Sequence, residues 1–330
     1  MRYIVYGAGA VGGAFAGKLN LAGIEAVLIA RGDNLRVLRE SGLRLKHTNP
    51  DATESLHLEV VGHPSEIAFR PDDAVLLTMK SQDTIGALED LRLAAGDQIP
   101  VVCCQNGVEN ERQALRRFAN VYGALVIMAT SYLQPGSVDV AMWPISGVAD
   151  LGRYPEGVDA TAEAIAADLA RAGFVSHVDP SIMRMKYSKL HQNMVNALQA
   201  LLPPNSDSAD VLDQLRNEAT ACFAAAGIDW APTAEMMARN AGTRSRIEGI
   251  GGGGWRGGST WQSIARGAGS SETDYLNGEI VLLGRLHGIP TPANETVQLL
   301  VERLARSGGA PGTMTTDELR QAIAARTQVS

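Results

Sequence analysis

Cysteine is scarce in this chain. Cys103, Cys104 and Cys222 are the three among 330 residues, two adjacent and one distant. That pattern fits neither a disulfide framework nor the spacing of a zinc site. No metal is expected, and a reduced, cytoplasmic compartment is the default. Positive charge is in deficit, with 29 Lys and Arg against 36 Asp and Glu and a net charge of -7. A surface of that balance is ill suited to phosphate backbones, so nucleic acid is excluded as the main partner, while small anionic substrates are not. No apolar run approaches the ~18 residues of a membrane span. The opening MRYIVYGAGAVGG is already broken by glycine at Gly7, which reads as a strand and a turn rather than a secretion signal.

What is present is a chain with 45% hydrophobic and 20% charged residues, enough to bury a full core. Its length suggests two domains. The first half alternates short apolar runs (2–6, 26–30, 74–79, 101–104, 122–130) with helical patterns (10–21, 35–40, 84–93, 109–118). That alternation implies a parallel sheet with helices on both faces. Residues 136–153 read as antiparallel edge strands, 160–172 as a helix and 174–178 as a last short strand. After Pro180 the pattern is almost wholly helical, over 182–202, 211–225, 232–240, 272–286, 296–307 and 317–325. A Gly-rich stretch at 249–258 interrupts it. Thr315 and Glu318 form a capping-box pattern before the last helix. The expected division is 1–179 and 180–330.

Gly7-Ala8-Gly9-Ala10-Val11-Gly12 fits G-x-G-x-x-G between a predicted strand and a predicted helix. In that context the first glycine permits the turn, the second lets backbone approach a pyrophosphate, and the third allows close helix–strand packing. The helix N-terminus adds N–H donors and the positive end of the dipole. Arg31 stands nineteen positions after Gly12. An arginine closing the second strand favours the 2′-phosphate of NADP(H), whereas Asp33 is the competing acid if the strand ends two residues later. Lys80 and Asn106 follow the third and fourth predicted strands, where a cofactor's ribose and nicotinamide would pass.

Lys189, Asn193 and Asn196 lie at i, i+4 and i+7, one stripe of a single helix. A wet substrate-binding wall is one reading and an exposed polar face the other. Lys186, one turn earlier, is the rival for the lysine's role, and His191 is read as structural or surface. Glu272 opens a predicted helix, where a carboxylate is also stabilised by the dipole alone. Ser259 follows the glycines as a hydroxyl donor on a loop.

In order and spacing these pieces resemble the ketopantoate reductases (2-dehydropantoate 2-reductases). The matching segments are GAGAVG, Arg31, Lys80, Gln105-Asn106-Gly107, Lys189-Leu190 with Asn193, Ser259 with Gln262, Glu272 in ETDYLNG, and Gly288-Ile289-Pro290-Thr291-Pro292 with Asn294. The resemblance implies an N-terminal Rossmann-type doubly wound α/β domain and an all-α C-terminal domain, with the active site between them. It implies NADPH-dependent reduction of a 2-oxo acid, 2-dehydropantoate to pantoate. Lys189 would be the general acid and Glu272 its partner. Asn193 and Ser259 would position substrate, with the nearby amide Asn196, and Asn106 and Lys80 would sit at the cofactor–substrate junction. The family's second asparagine and the proline after it are replaced here by Ala197 and Leu198. Its Ser-x-x-Gln-Asp ends in Ser263, and Trp255 and Trp261 add bulk. These departures lie on the substrate side and support one alternative, reduction of another oxo acid or ketone. Two others are a non-catalytic NADPH sensor, against which Lys189 and Glu272 stand, and an NAD-linked hydroxyacid dehydrogenase, against which Arg31 stands. A small-molecule oxo acid is the expected partner, and a homodimer is admissible.

Overall fold

The computed structural model describes residues 1–48, 51–240 and 257–328. It divides into two compact units, Met1–Lys186 with Thr233–Gly254, and Tyr187–Pro232 with Trp255–Ser330. Most of the Gly-rich stretch, including Trp255, lies outside the described residues.

The first unit opens with β1 (Arg2–Tyr6), α1 (Ala10–Leu21), β2 (Ala26–Ile29), α2 (Gly32–Ser41), β3 (Leu43–Thr48), β4 (Asp51–Leu56) and β5 (Glu59–Val61). It continues with β6 (Asp73–Leu77), α3 (Thr84–Ala95), β7 (Val101–Cys103), α4 (Asn110–Leu115), β8 (Val121–Ile127), β9 (Thr130–Gln134), β10 (Ser137–Val140), β11 (Val148–Arg153) and α5 (Ala160–Arg171). The main sheet has the order β11-β8-β7-β6-β1-β2-β5. All neighbours are parallel except β11, which runs antiparallel to β8 at the edge. Its strands are apolar on both sides because both faces are covered. Tyr3, Val5, Leu28 and Leu76 pack into one core, and Ile4, Val27, Val75 and Leu77 into the other, as the alternation of side chains along a strand requires.

A second sheet, β4-β3-β10-β9, is a structure the sequence reading missed at 43–56. Here β10 is not an edge strand, pairing parallel with β3 and antiparallel with β9. Small residues on α1 let this sheet close in, with Val138 against Gly13 and Leu43 and Leu45 against Gly17. The expected strand at 174–178 reduces to isolated bridges at Val175 and Val178.

Chain order reverses between β1 and β6. In a doubly wound sheet, the crevice outside the carboxyl ends of the strands at that point is where ligands bind.

The boundary between units falls inside α6 (Ile182–Gln192). The second unit then comprises α7 (Val195–Leu201), α8 (Ala209–Ala225), α10 (Ser259–Ala265), α11 (Asn277–His287), α12 (Pro292–Ser307) and α13 (Thr316–Thr327), while α9 (Thr233–Asn240) belongs to the first unit. The single helix expected over 182–202 is two helices, parted at Asn193–Met194. The helix expected over 272–286 is a 3₁₀ turn, Glu272–Tyr275, followed by α11. No described helix is long and apolar enough to cross a membrane.

A buried polar knot explains the Pro-Thr-Pro segment. Glu218 on α8 accepts hydrogen bonds from the Ala293 and Asn294 backbone N–H groups, at 2.9 and 3.0 Å, and from Asn294 Nδ2 at 2.7 Å. Asn277 donates to Asn294 at 2.9 Å. The carboxylate thus caps α12, whose fixed start is Pro292. At the start of α13 the capping box of Thr315 and Glu318 is formed as expected. Thr315→Ala should therefore cost about 1 kcal/mol, read as a lower urea midpoint for loss of helical circular dichroism, with Thr315→Ser close to the native value.

Candidate functional site

The candidate site residues fall into two patches, one in each unit. In the first, the carboxyl ends of β1, β2, β6 and β7 carry the Gly-rich turn, Arg31, Lys80 and Asn106, each just beyond its strand. Gly7 has φ +116, and a Cβ there would stand 2.5 Å from the Met79 nitrogen. A Cβ on Gly12 would overlap the Gly7 carbonyl oxygen. Gly9 differs, since a Cβ on it would meet nothing within 4 Å. It is the N-cap of α1, so the open space faces the N–H groups of a helix start. An anionic pyrophosphate fits such a space.

Four side chains that the sequence reading passed over hold this edge together. Thr78 Oγ1 lies 3.0 Å from the Tyr6 carbonyl oxygen and 2.7 Å from that of Gly7. Asn34 donates to the Ala8 carbonyl oxygen at 2.7 Å and accepts from the Gly136 N–H at 2.8 Å. Asn110 Nδ2 donates to Ser81 Oγ at 3.0 Å and to the Asn106 carbonyl oxygen at 3.1 Å. Thr84, bonded to both Asn110 and Gln105, completes the link between the β6 and β7 loops. The only sequence signal was position, since each of these residues sits within a few residues of a strand end or helix start.

Arg31 caps α2 and is 82% exposed. Its guanidinium donates to both carboxylate oxygens of Asp83, at 2.8 and 3.4 Å. Asp33, the competing acid, lies in the first turn of α2 and pairs with Arg36 at 3.8 Å, its side chain 83% exposed. Lys80 follows its strand, which ends two residues earlier than the expected 74–79. Strand β6 stops at Leu77, where Thr78 turns its hydroxyl to the glycine turn, and half-buried Lys80 starts the 3₁₀ turn Ser81–Asp83. Lys186 is buried in an ion pair with Glu111. Burial pushes the Glu111 carboxyl up from its usual range, against the pull of Lys186.

In the second patch Lys189 is half-buried on α6. Asn193 occupies the break between α6 and α7. Its N–H still bonds the Lys189 carbonyl at 2.9 Å, but the Asn196 N–H bonds back only three residues, to Asn193, at 2.9 Å. The helical stripe of Lys189, Asn193 and Asn196 is therefore not one continuous helix face. Asn193 Nδ2 is buried with no hydrogen-bond partner among the described residues. Asn196 adjoins the start of α10, where a Cβ on Gly258 would stand 2.9 Å from Asn196 Oδ1. Gln199, also unanticipated, accepts from the Gly258 N–H at 2.8 Å. Half-buried Ser259 begins α10 rather than lying on a loop, and its carbonyl accepts from Ser263 Oγ at 3.1 Å. Glu272 is 5% exposed, and Ser271 caps its 3₁₀ turn. His191 stacks on Trp230 with ring centroids 4.7 Å apart, the structural part expected for it. Among the described residues no cluster of His, Cys, Asp and Glu is arranged to hold a metal.

A doubly wound sheet with this turn at its switch point is the architecture of dinucleotide-dependent oxidoreductases. Family models agree over most of the length. The ketopantoate reductase PanE/ApbA model matches residues 3–155 and the ketopantoate reductase PanE/ApbA C-terminal model residues 181–305. The chain belongs to the ketopantoate reductase family, and so to the oxo-acid reductases. It is 26% identical to the 2-dehydropantoate 2-reductase of Pyrococcus horikoshii, over 94% of this chain and 99% of that one. Among solved structures it resembles a PanE/ApbA family ketopantoate reductase from Ralstonia eutropha JMP134, with 29% identity, TM-score 0.77 and coverage of 93% and 99%. It also resembles D-mandelate dehydrogenase in a ternary structure with NADH and anilino(oxo)acetate, with 22% identity, TM-score 0.80 and coverage of 93% and 99%. At that identity the second likeness is one of fold.

Proposed function

We propose that this protein reduces a 2-oxo acid to a 2-hydroxy acid with NADPH, and that the substrate is 2-dehydropantoate and the product pantoate. Residues 1–179 serve NADP(H) in this reading, and residues 180–330 carry the substrate-binding and catalytic groups. The setting is cytoplasmic, which suits three buried free thiols. The observation that carries the reading is the buried side-chain amide of Asn193, whose Nδ2 has no hydrogen-bond partner among the described residues and whose backbone N–H is bonded to the Lys189 carbonyl. Buried donors are normally satisfied, and a substrate hydroxyl or carboxylate supplies the missing acceptor.

The cofactor, when bound, supplies the hydride. Gly7, Ala8, Gly9, Ala10, Val11 and Gly12 hold its pyrophosphate through backbone N–H groups, Arg31 takes the 2′-phosphate, and Lys80 and Asn106 hold the ribose and nicotinamide side. Lys189 protonates the oxygen on which charge develops, Glu272 orients that lysine and the substrate, and Asn193, Asn196 and Ser259 fix the oxo acid. The test is cofactor oxidation against a panel of 2-oxo acids with NADPH and NADH. Turnover of 2-dehydropantoate with NADPH well above all other pairs is expected. Fast turnover of phenylglyoxylate with NADH, and none of 2-dehydropantoate, would overturn it.

That last outcome is the second reading, an oxo acid of different shape. It is favoured by Ala197, which is 1% exposed where the family has a second asparagine, and by Ser263. Cofactor choice has its own test. Arg31→Ala should weaken NADPH about tenfold or more, the worth of a charged hydrogen bond, and leave NADH nearly unchanged. Equal losses for both cofactors would remove the 2′-phosphate contact.

A further inference from the structure

Lys186 is 3% exposed and its partner Glu111 wholly buried. Beyond the ion pair, Lys186 Nζ donates to the Cys103 carbonyl oxygen at 3.3 Å and to the Gln105 carbonyl oxygen at 3.1 Å. One carboxylate and two carbonyls use the three donors of an ammonium. A buried ion pair is weak evidence for stability, because an apolar pair of similar volume often serves as well or better. The two carbonyls are therefore the informative feature. One closes β7 and the other belongs to the peptide whose N–H is that of Asn106. Strand β7 has only three residues, and its last link to β6 is the Cys104 N–H to Leu77 carbonyl bond at 3.0 Å. Beyond that point the sheet no longer holds the chain. The Gln105 carbonyl is fixed by Lys186 and the Asn106 carbonyl by Asn110, one on each side of the Asn106 side chain.

We propose that Lys186, held in place by Glu111, is a positioning residue. Its ammonium fixes the plane of the Gln105–Asn106 peptide and thereby the aim of the Asn106 side chain at the carboxyl edge of the sheet. The proposal rests on the role of Asn106 given above. It also takes Lys186 out of contention as the general acid, since its three donors are committed within the first unit.

The test is the double variant Lys186→Met/Glu111→Leu, which removes both charges and retains the volume, so its melting temperature stays near native. Its kcat/KM for the oxo acid should fall about tenfold to a hundredfold, the scale of a small misplacement at a reacting centre, while the Kd of NADPH stays near native. Adding Asn106→Ala to the double variant should then cost little more, although Asn106→Ala alone is slow. Such non-additivity marks residues acting through one another. Glu111→Gln changes a single atom and is expected to show the same loss in smaller degree, which keeps the test available if the double variant folds poorly. Native kcat/KM in folded Lys186→Met/Glu111→Leu or Glu111→Gln protein, with Asn106→Ala slow, overturns the tether alone. Native kcat/KM in Asn106→Ala itself overturns the role of Asn106 and the tether with it.

Discussion

Lys189→Ala should lower kcat by about 10²–10⁴-fold, the usual contribution of a positioned general acid, and leave the Kd of NADPH unchanged. Hydride addition to a ketone leaves negative charge on oxygen, and without a proton donor that charge has to be met by hydrogen bonds alone. Lys189 has the position for the task, half-buried and one helical turn before Asn193, whose side-chain amide is buried at the break. Lys189→Arg separates charge from proton transfer. A guanidinium keeps the positive charge but does not give up its proton near neutral pH. The arginine variant should therefore recover part of the substrate KM and none of the kcat. Near-native turnover in Lys189→Ala would remove the lysine from the chemistry. The committed hydrogen bonds of Lys186 leave that lysine a poor replacement.

The parts of this molecule that could be read from the sequence are those where local physics decides. Apart from the Arg2–Asp73 ion pair that opens β1 and β6, strands β1, β2 and β6 are continuous apolar runs because both faces of the sheet are covered. The glycine turn is legible because backbone sterics at Gly7 and Gly12 demand the residue type. The Thr315 box is legible because both its bonds span three residues. The second sheet was missed at β3 and β4 because both are rich in polar and charged residues, LRLKHT and DATESL, and lack the continuous apolar run of the main-sheet strands. The break at Asn193–Met194 carries no Gly or Pro, so a continuous helix was the natural expectation. Thr78 and Asn34 work through bonds to distant carbonyls, 71 residues away for Thr78 and Gly7 and 26 for Asn34 and Ala8, and Asn110 reaches the Ser81 hydroxyl 29 residues away; no periodicity reports such bonds. Catalytic roles were legible only by resemblance, since a half-buried lysine and a buried glutamate on separate helices show no spacing that marks them as partners.

Two single-methyl substitutions in the glycine turn should part company, and the contrast tests whether the turn is a ligand cradle or only a tight corner. At Gly12 an added Cβ overlaps the Gly7 carbonyl oxygen and comes within 2.5 Å of Thr78 Oγ1. Thr78 is bonded to that same carbonyl, so neither atom can yield without unlatching the turn from β6. Gly12→Ala should therefore destabilise the first unit by about 1–3 kcal/mol, the usual cost of forcing an atom into filled space, visible as a lower melting temperature before any cofactor is added. At Gly9 the backbone has φ -83, an ordinary value, and the Cβ meets nothing within 4 Å. Gly9→Ala should melt within about 0.5 kcal/mol of native, as surface substitutions without strain do. Its methyl group nevertheless projects into the space before the N-terminus of α1, where a pyrophosphate needs contact with bare backbone. Binding of NADPH and NADH should fall together, by about tenfold or more for a displaced charged hydrogen bond, because both cofactors share that group. This common loss distinguishes the turn from Arg31, whose removal acts on NADPH alone. Native affinity for both cofactors in a stably folded Gly9→Ala protein would mean that the open space is not where the dinucleotide lies.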